Sequence, residues 1–452
     1  MTPRRPGPAC RPGNRGPRST NEPRTAAVHL GALVTVAVAL GAAVAMAGPL
    51  AASVVGPPGK SAADRCTACH RELDDERLKT PALAAGSDVH HAQGVTCAGC
   101  HGGDPTSDEP EVAMDPKKGF LGKLEPTRIP EMCGSCHSNA SFMLRYAPNI
   151  PTDQLAQYRT SKHGQALAKG DAKVAVCSSC HGAHGVLPPS DARSPVYPSR
   201  IVETCGACHG DAALMARYGI KGDELAEYKK SVHYAALTQK KDLSAPTCND
   251  CHGSHGATPP GISSVSNVCG TCHLTQRERF DESPHKDAFA AIEQPACEAC
   301  HSNHAVLSPN DAWIGVGEGQ VCGECHAAGD PGETVAAAVS GVLADVHQQL
   351  AAAESRVKRA ERAGMLMDDA KVKLEEAHQG VVLAQVEIHS VDPNRVAAEA
   401  RQVLVAAGAA DAMAARAEAE IRFRRTGLFV SLGVIALAMV ALVLKIRAME
   451  KG

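Results

Sequence analysis

Apolar and polar positions divide the chain into three regions. Near the N-terminus an uncharged run, Ala26 to Ala47, follows a stretch holding Arg4, Arg5, Arg11, Arg15, Arg18 and Arg24 with one acid, Glu22. A positive region, an apolar run and the closing Ala45-Met46-Ala47 read as a secretory signal. Residues 1–47 are therefore expected outside the folded domain, as a signal peptide or an N-terminal anchor, with 48–65 as a linker. At the other end, Gly427 to Leu444 carries no charge over 18 residues, which suffices for one transmembrane helix. That helix is placed at 427–446, with a tail at 447–452. Between Gly332 and about Arg425, Val339, Val342, Val346, Leu350 and Val357 recur at spacings of three, four or seven, the mark of one apolar helix face. Met365–Ile388 is similar, and Asp392-Pro393-Asn394 breaks the pattern. Two or three long helices over 331–425 follow, with Gly364 as a hinge between the first two.

The middle of the chain, residues 66–330, shows no sustained strand alternation. Short helical patterns such as Thr152–His163 and Asp223–Leu237 alternate with turn-rich stretches such as Leu187–Ser199. What organises it is repetition. One unit reads CGSCH…MLRY…LAQYRTSKH…CSSCHGAHG from Cys133, and the next CGACH…MARY…LAEYKKSVH…CNDCHGSHG from Cys205. A shorter copy runs CGTCH…FDESPH…CEACHSNH from Cys269 to His304. The pair at Cys66 and Cys97 is a degenerate copy with CHGGD where the others have CHxxH, and a single motif at Cys322 closes the array.

These motifs carry the chemistry. Cys66/Cys69/His70, Cys97/Cys100/His101, Cys133/Cys136/His137, Cys177/Cys180/His181, Cys205/Cys208/His209, Cys248/Cys251/His252, Cys269/Cys272/His273, Cys297/Cys300/His301 and Cys322/Cys325/His326 are nine copies of Cys-x-x-Cys-His. Two thiols at this spacing add across the vinyl groups of a haem, and the adjacent His becomes the proximal iron ligand. Composition alone would yield ~0.04 such matches, so the signal is specific. The motifs use every cysteine except Cys10, which lies in the signal region. Zinc sites and disulfides need cysteine pairs, but neither needs His after every second Cys.

Composition then makes sense. Aromatic residues are only 3% of the chain, so nine c-type haems, each a large flat apolar body, are expected to form the core. Loss of residues 1–47 would take the formal charge from −3 to −8, since six positives and one negative leave with them. A mildly acidic exported protein gives no support to a nucleic-acid partner. The charges beside the C-terminal apolar run, Arg422, Arg424 and Arg425 before it and Lys445, Arg447 and Lys451 after it, do not orient it. Haem attachment outside the cytoplasm does, placing Lys445–Gly452 inside.

Twelve His lie outside the motifs. His29 is in the signal stretch, and His378 and His389 lie far along the helices. The other nine, His90, His91, His163, His184, His233, His255, His285, His304 and His347, equal the number of haems and are the distal-ligand candidates. His163, His233 and His285 stand in S-x-H triplets before the second motif of their units. His184, His255 and His304 each follow a motif His by three residues. Met114, Met143 and Met215 could substitute but fit helix packing as well.

The dense CxxCH units with CHGAHG and CHGSHG seconds resemble the multihaem class III cytochromes c and their doubled-CxxCH relatives over roughly residues 60–330. The resemblance implies bis-His, low-potential haems in respiratory electron transfer and does not reach residues 331–452. The expected fold is mainly α with much irregular loop: a haem-cored array over 66–330, long α-helices, then one transmembrane helix. The expected function is a membrane-tethered nonahaem relay in anaerobic respiration, its haems in the periplasm and its anchor in the inner membrane. It would join a quinol-oxidising membrane partner or other cytochromes to periplasmic or extracellular acceptors, with homo-oligomers possible. The alternative is an oxidoreductase of the hydroxylamine oxidoreductase or nitrite reductase type with one open-site haem; the supply of distal His and the absence of a Lys-bearing variant motif weigh against it.

Overall fold

The computed structural model describes residues 64–450, so the signal segment, most of the 48–65 linker and the last two residues lie outside the described residues. No strand occurs among the described residues. The architecture is mainly helical with irregular loops, as the repeat pattern predicts.

Most haem motifs sit on short helices, among them Arg65–Arg71, Cys97–His101, Cys177–His181 and Cys248–His252. On a helix, residues three and four apart share a face, so both thiols and the following imidazole project together. Two motifs depart from this form. The motif at Cys269 lies on a tight 3₁₀ turn, Cys269–Thr271, and the motif at Cys322 on another, Val321–Glu324, so Cys272 and Cys325 fall just past the ends of their turns. Residues i and i+3 eclipse one another in a 3₁₀ turn, which still brings the two thiols of each motif to one side.

After the second motif of each unit the chain turns sharply in the left-handed region: Gly102 (φ 69°), Gly182 (φ 81°), Gly253 (φ 80°) and Ser302 (φ 58°). Glycine makes this turn without steric cost, which is the reason for the CHG sequences.

The two predicted helices before second motifs are each broken in two. Thr152–His163 becomes Gln154–Thr160 and Lys162–Ala168, and Asp223–Leu237 becomes Glu224–Tyr228 and Val232–Gln239. The serine of the S-x-H triplet makes the break. Ser161 accepts a hydrogen bond from the Gly164 amide, and Ser231 from the Tyr234 amide, each capping the second helix. Ser283 occupies the same cap position before Pro284–Ala291. The His of each triplet is thus fixed in the first turn of a helix.

From Pro331 the chain forms three long helices, Pro331–Arg362, Asp368–Glu387 and Pro393–Glu450. The first is capped by Asp330, whose side chain accepts from the Glu333 amide, and the turn after it uses Gly364 at φ 88°. Buried positions in the first helix are Ala336, Val339, Leu343, Val346, Leu350, Ala353, Val357 and Ala360; in the third, Val396, Ala400, Val403, Ala407, Ala410, Ala414 and Ala417. Steps of three and four alternate without interruption, the heptad seam of a coiled coil. Val339 and Leu343 cluster with Ala384 and Val396, while Val357 and Ala360 cluster with Ala370, Ala410 and Ala414. The first and third helices therefore run parallel and the second antiparallel. Leu343 is fully buried in this seam. Leu343→Ala should cost about 3 kcal/mol, read by chemical denaturation of the helical region.

The array fastens to the start of this bundle. Arg279 Nε donates to Glu387 at 2.5 Å, and Arg395 bridges Glu282 at 2.6 Å and Glu387 at 2.8 Å. Gln385 donates to Asp311 at 3.0 Å. The third helix runs on unbroken through the apolar stretch, which is exposed throughout and is long and apolar enough to cross a membrane.

Candidate functional site

All eighteen motif cysteines are free thiols, so none is consumed by a disulfide. None is fully buried, and Cys69, Cys208, Cys272, Cys300 and Cys325 are exposed. Each of the five is the second cysteine of its motif.

The imidazoles come in facing pairs. Ring centres of His90 and His137 lie 6.0 Å apart, His101 and His184 6.0 Å, His163 and His209 6.1 Å, and His181 and His255 6.1 Å. His233 and His273 follow at 6.3 Å, His252 and His304 at 5.9 Å, His285 and His326 at 6.1 Å, and His301 and His389 at 6.1 Å. Each pair joins one motif His to one His from outside the motifs. Two imidazole nitrogens bound at about 2 Å to one iron, with each ring centre about 1 Å behind its nitrogen, stand roughly 6 Å apart. The gap is therefore the size of an iron. Two imidazoles across such a gap are the axial pair a haem iron takes, and among the described residues no three His, Cys, Asp or Glu side chains converge into another kind of metal site.

Protonation and hydrogen bonding agree with that geometry. Burial lowers the pKa of His137, His163, His181, His184, His233, His252, His285 and His301, and the imidazole opposite each adds to the effect. One member of every pair is thus shifted toward the neutral form, the form that binds a metal. Where the second ring nitrogen has a partner, it is Nδ1: His90 with Asp88 at 3.0 Å, His101 with the Gly122 carbonyl at 3.0 Å, His326 with Asp330 at 3.1 Å, and His389 with the Val386 carbonyl at 3.0 Å. Such contacts fix the ring and leave Nε2 free to coordinate.

A rule of register runs through the pairs. The His in the first turn of each capped helix faces the opening motif of the next unit: His163 meets His209, His233 meets His273, and His285 meets His326. The His three residues after a second motif faces the second motif of the preceding unit: His184 meets His101, His255 meets His181, and His304 meets His252. Asp88-Val89-His90 follows the first pattern with aspartate as the cap, its carboxylate accepting from the His90 amide at 2.8 Å. The other Asp88 oxygen takes the Val186 amide at 2.9 Å and so ties the His90 helix to the His184 loop. Burial pushes this carboxyl upward, but the Val186 and His90 amides and the His90 ring hold it below the ordinary value.

Seven of the nine candidates from sequence thus face motif imidazoles; His91 and His347 do not take such places. His347 Nε2 contacts Asp311 at 2.7 Å, spending the nitrogen a ligand would need. His389, half-buried at the bend between the second and third long helices, faces His301 and makes the eighth pair. His378 bonds the Leu374 carbonyl and Glu354 through its two nitrogens. Met143 and Met215 are buried in helix packing, and Met114 is exposed.

Neighbouring motifs approach one another in sequence order. Within units, Cys133 lies beside Cys177, Cys205 beside Cys248, and Cys269 beside Cys297. Asp64 links the first pair by accepting from the amides of both Cys66 and Cys97. Between units, Cys100 lies near Cys136, Cys180 near Cys208, Cys251 near both Cys269 and Cys272, and Cys300 near both Cys322 and Cys325.

Thiol pairs on single helical turns, each backed by an imidazole that in eight of nine motifs faces a second imidazole across an iron-sized gap, define a multihaem c-type cytochrome, and this chain is one. It carries haem c, and its general role is electron transfer. The family model described as "Cytochrome c554 and c-prime" matches residues 268–348, which span the last three motifs and the start of the first long helix. The multiheme cytochrome MtrA of Shewanella baltica (strain OS185) is 27% identical over 300 residues, covering 58% of this chain and 76% of that protein. No solved structure matches.

Proposed function

We propose that the chain is a nonahaem relay tethered to the inner membrane through residues 427–446, with its haems in the periplasm. Each motif holds one haem through its two cysteines and proximal His. Eight irons take their sixth ligand from His90, His163, His184, His233, His255, His285, His304 and His389. The observation that carries this reading is the set of eight facing imidazole pairs at an iron-sized spacing. A bis-His iron is saturated, which favours electron transfer over substrate chemistry. The succession of neighbouring motifs supports passage of electrons in chain order between the Cys66 and Cys322 ends.

The similarity to a multiheme cytochrome supports other cytochromes as partners. One span without an intramembrane His pair offers no b-type haem site, so quinol oxidation in anaerobic respiration falls to a separate membrane partner, and the acceptors are periplasmic or extracellular. Intact-mass measurement of the mature chain should give nine haems. The purified protein should reduce and reoxidise with soluble redox dyes but show no turnover with quinol, nitrite or hydroxylamine. Enzyme-like rates with any of these would overturn the relay reading.

The Asp88 carboxylate makes the His90 imidazole more electron-rich and so favours the ferric state of the haem at Cys133 and Cys136. Asp88→Asn should raise the potential of that one haem, measured by spectroelectrochemistry, and leave the haem count at nine.

A further inference from the structure

The register rule completes the irons in the interior of the array and leaves one at each boundary. An opening motif receives its facing His from the capped helix of the unit before it, and a second motif receives its own from the loop of the unit after it. The second motif at Cys297 has no following unit, and the helical bundle supplies His389 instead. Residues 1–65, ahead of the opening motif at Cys66, contain no further motif. Residues 48–63 contain no His, Met or Cys. The CHGGD of the second motif agrees with this boundary: by the register a His at Asp104 would serve a second motif ahead of Cys66, and residues 1–65 hold none.

Among the described residues no imidazole stands opposite His70 at the spacing seen in the other eight pairs. His91 is adjacent in sequence, but it follows His90 in the same helical turn, Val89–Ala92, and consecutive helical residues point about 100° apart. His90 is the residue in register and faces His137. His91 has neither the cap relationship nor a facing motif.

From this we infer that the haem held by Cys66, Cys69 and His70 keeps its sixth position open, and that it binds a small exogenous haem ligand such as carbon monoxide or cyanide. The inference rests on the reading of the facing imidazoles as axial ligands. It makes the N-terminal end of the relay a ligand-binding site, distinct from the eight saturated haems behind it.

The test uses the full-length, haem-loaded protein. Carbon monoxide titration of the reduced form should saturate at one ligand per nine haems, and low-temperature EPR of the oxidised form should show one high-spin centre. His91→Ala should leave both unchanged. Nine low-spin centres with no carbon monoxide uptake would overturn the inference. So would uptake that arises only in His91→Ala, which would make His91 the sixth ligand. His163→Ala serves as the control and should add a second carbon monoxide site at the Cys205 haem. If it adds none, the failure lies with the paired-imidazole reading and not with the open position.

Discussion

A chain produced without haem attachment is expected to lose fixed structure over residues 64–330 while residues 331–425 stay folded. Of the buried apolar residues, eleven lie in the array, from Ala82 to Val268, and twenty in the three-helix region, from Ala336 to Ala417. Three of the four apolar clusters among the described residues are in the bundle; in the array, Val202, Leu237 and Ala245 form the fourth. So few buried side chains cannot offset the conformational entropy of ordering some 270 residues, which costs on the order of 1–2 kcal/mol per residue for backbone alone. The haems must supply the difference. The bundle has its own heptad seam and needs none of them. Limited proteolysis of haem-free protein should leave a resistant C-terminal fragment starting near residue 331, and circular dichroism should retain its helical signal. An equally resistant array would show that side-chain packing suffices without porphyrin.

His389→Ala should convert the haem at Cys297 and Cys300 to a high-spin species, visible by EPR and by new carbon monoxide uptake. That haem lies between the seventh and ninth motifs, so electron flow to the haem at Cys322 and Cys325 should fall by orders of magnitude in a rapid-mixing experiment. His347→Ala should leave both spectrum and rate unchanged, since His347 Nε2 is engaged by Asp311. Equal effects of the two substitutions would contradict the assignment of His389.

The contrast between these two residues shows which parts of the site were legible in the sequence. Local chemistry was. Cysteine spacing fixes two thiols on one turn, and an S-x-H triplet announces a capped helix with a His in its first turn. Whether that turn is α or 3₁₀ is not written in the spacing, which is the same in all nine motifs. The grammar of the triplet with an aspartate cap, Asp88-Val89-His90, separates His90 from His91, a signal visible only when serine and aspartate are read as equivalent caps. The long helices were legible from spacing, and Gly364 does sit at the turn between the first two. His389 was not legible from its own neighbourhood. It comes close to the array because the second long helix returns antiparallel to the first, which sets Ile388 beside Val339 and Leu343. Distance along the chain made His347 look near and His389 far; the turn at Gly364 reverses that order. The split of the helices at Ser161 and Ser231 was hidden for a related reason, since apolar periodicity does not register a cap placed inside an apparently continuous run.

One consequence of the third long helix concerns height. The array is fastened where that helix begins, at Arg395, and the apolar stretch opens at Gly427 without a break in the rod. Thirty-odd residues at about 1.5 Å each make a mast of roughly 50 Å. For a chain held in a bilayer by its apolar stretch, the closing haem motifs are carried at that altitude above the lipid surface. A donor lying flush with the bilayer cannot meet them there, so whatever exchanges electrons at the Cys322 end must itself project to a similar level. Heptads added to or removed from the mast would raise or lower the point of exchange in steps of about 10 Å, leaving every haem site as it is.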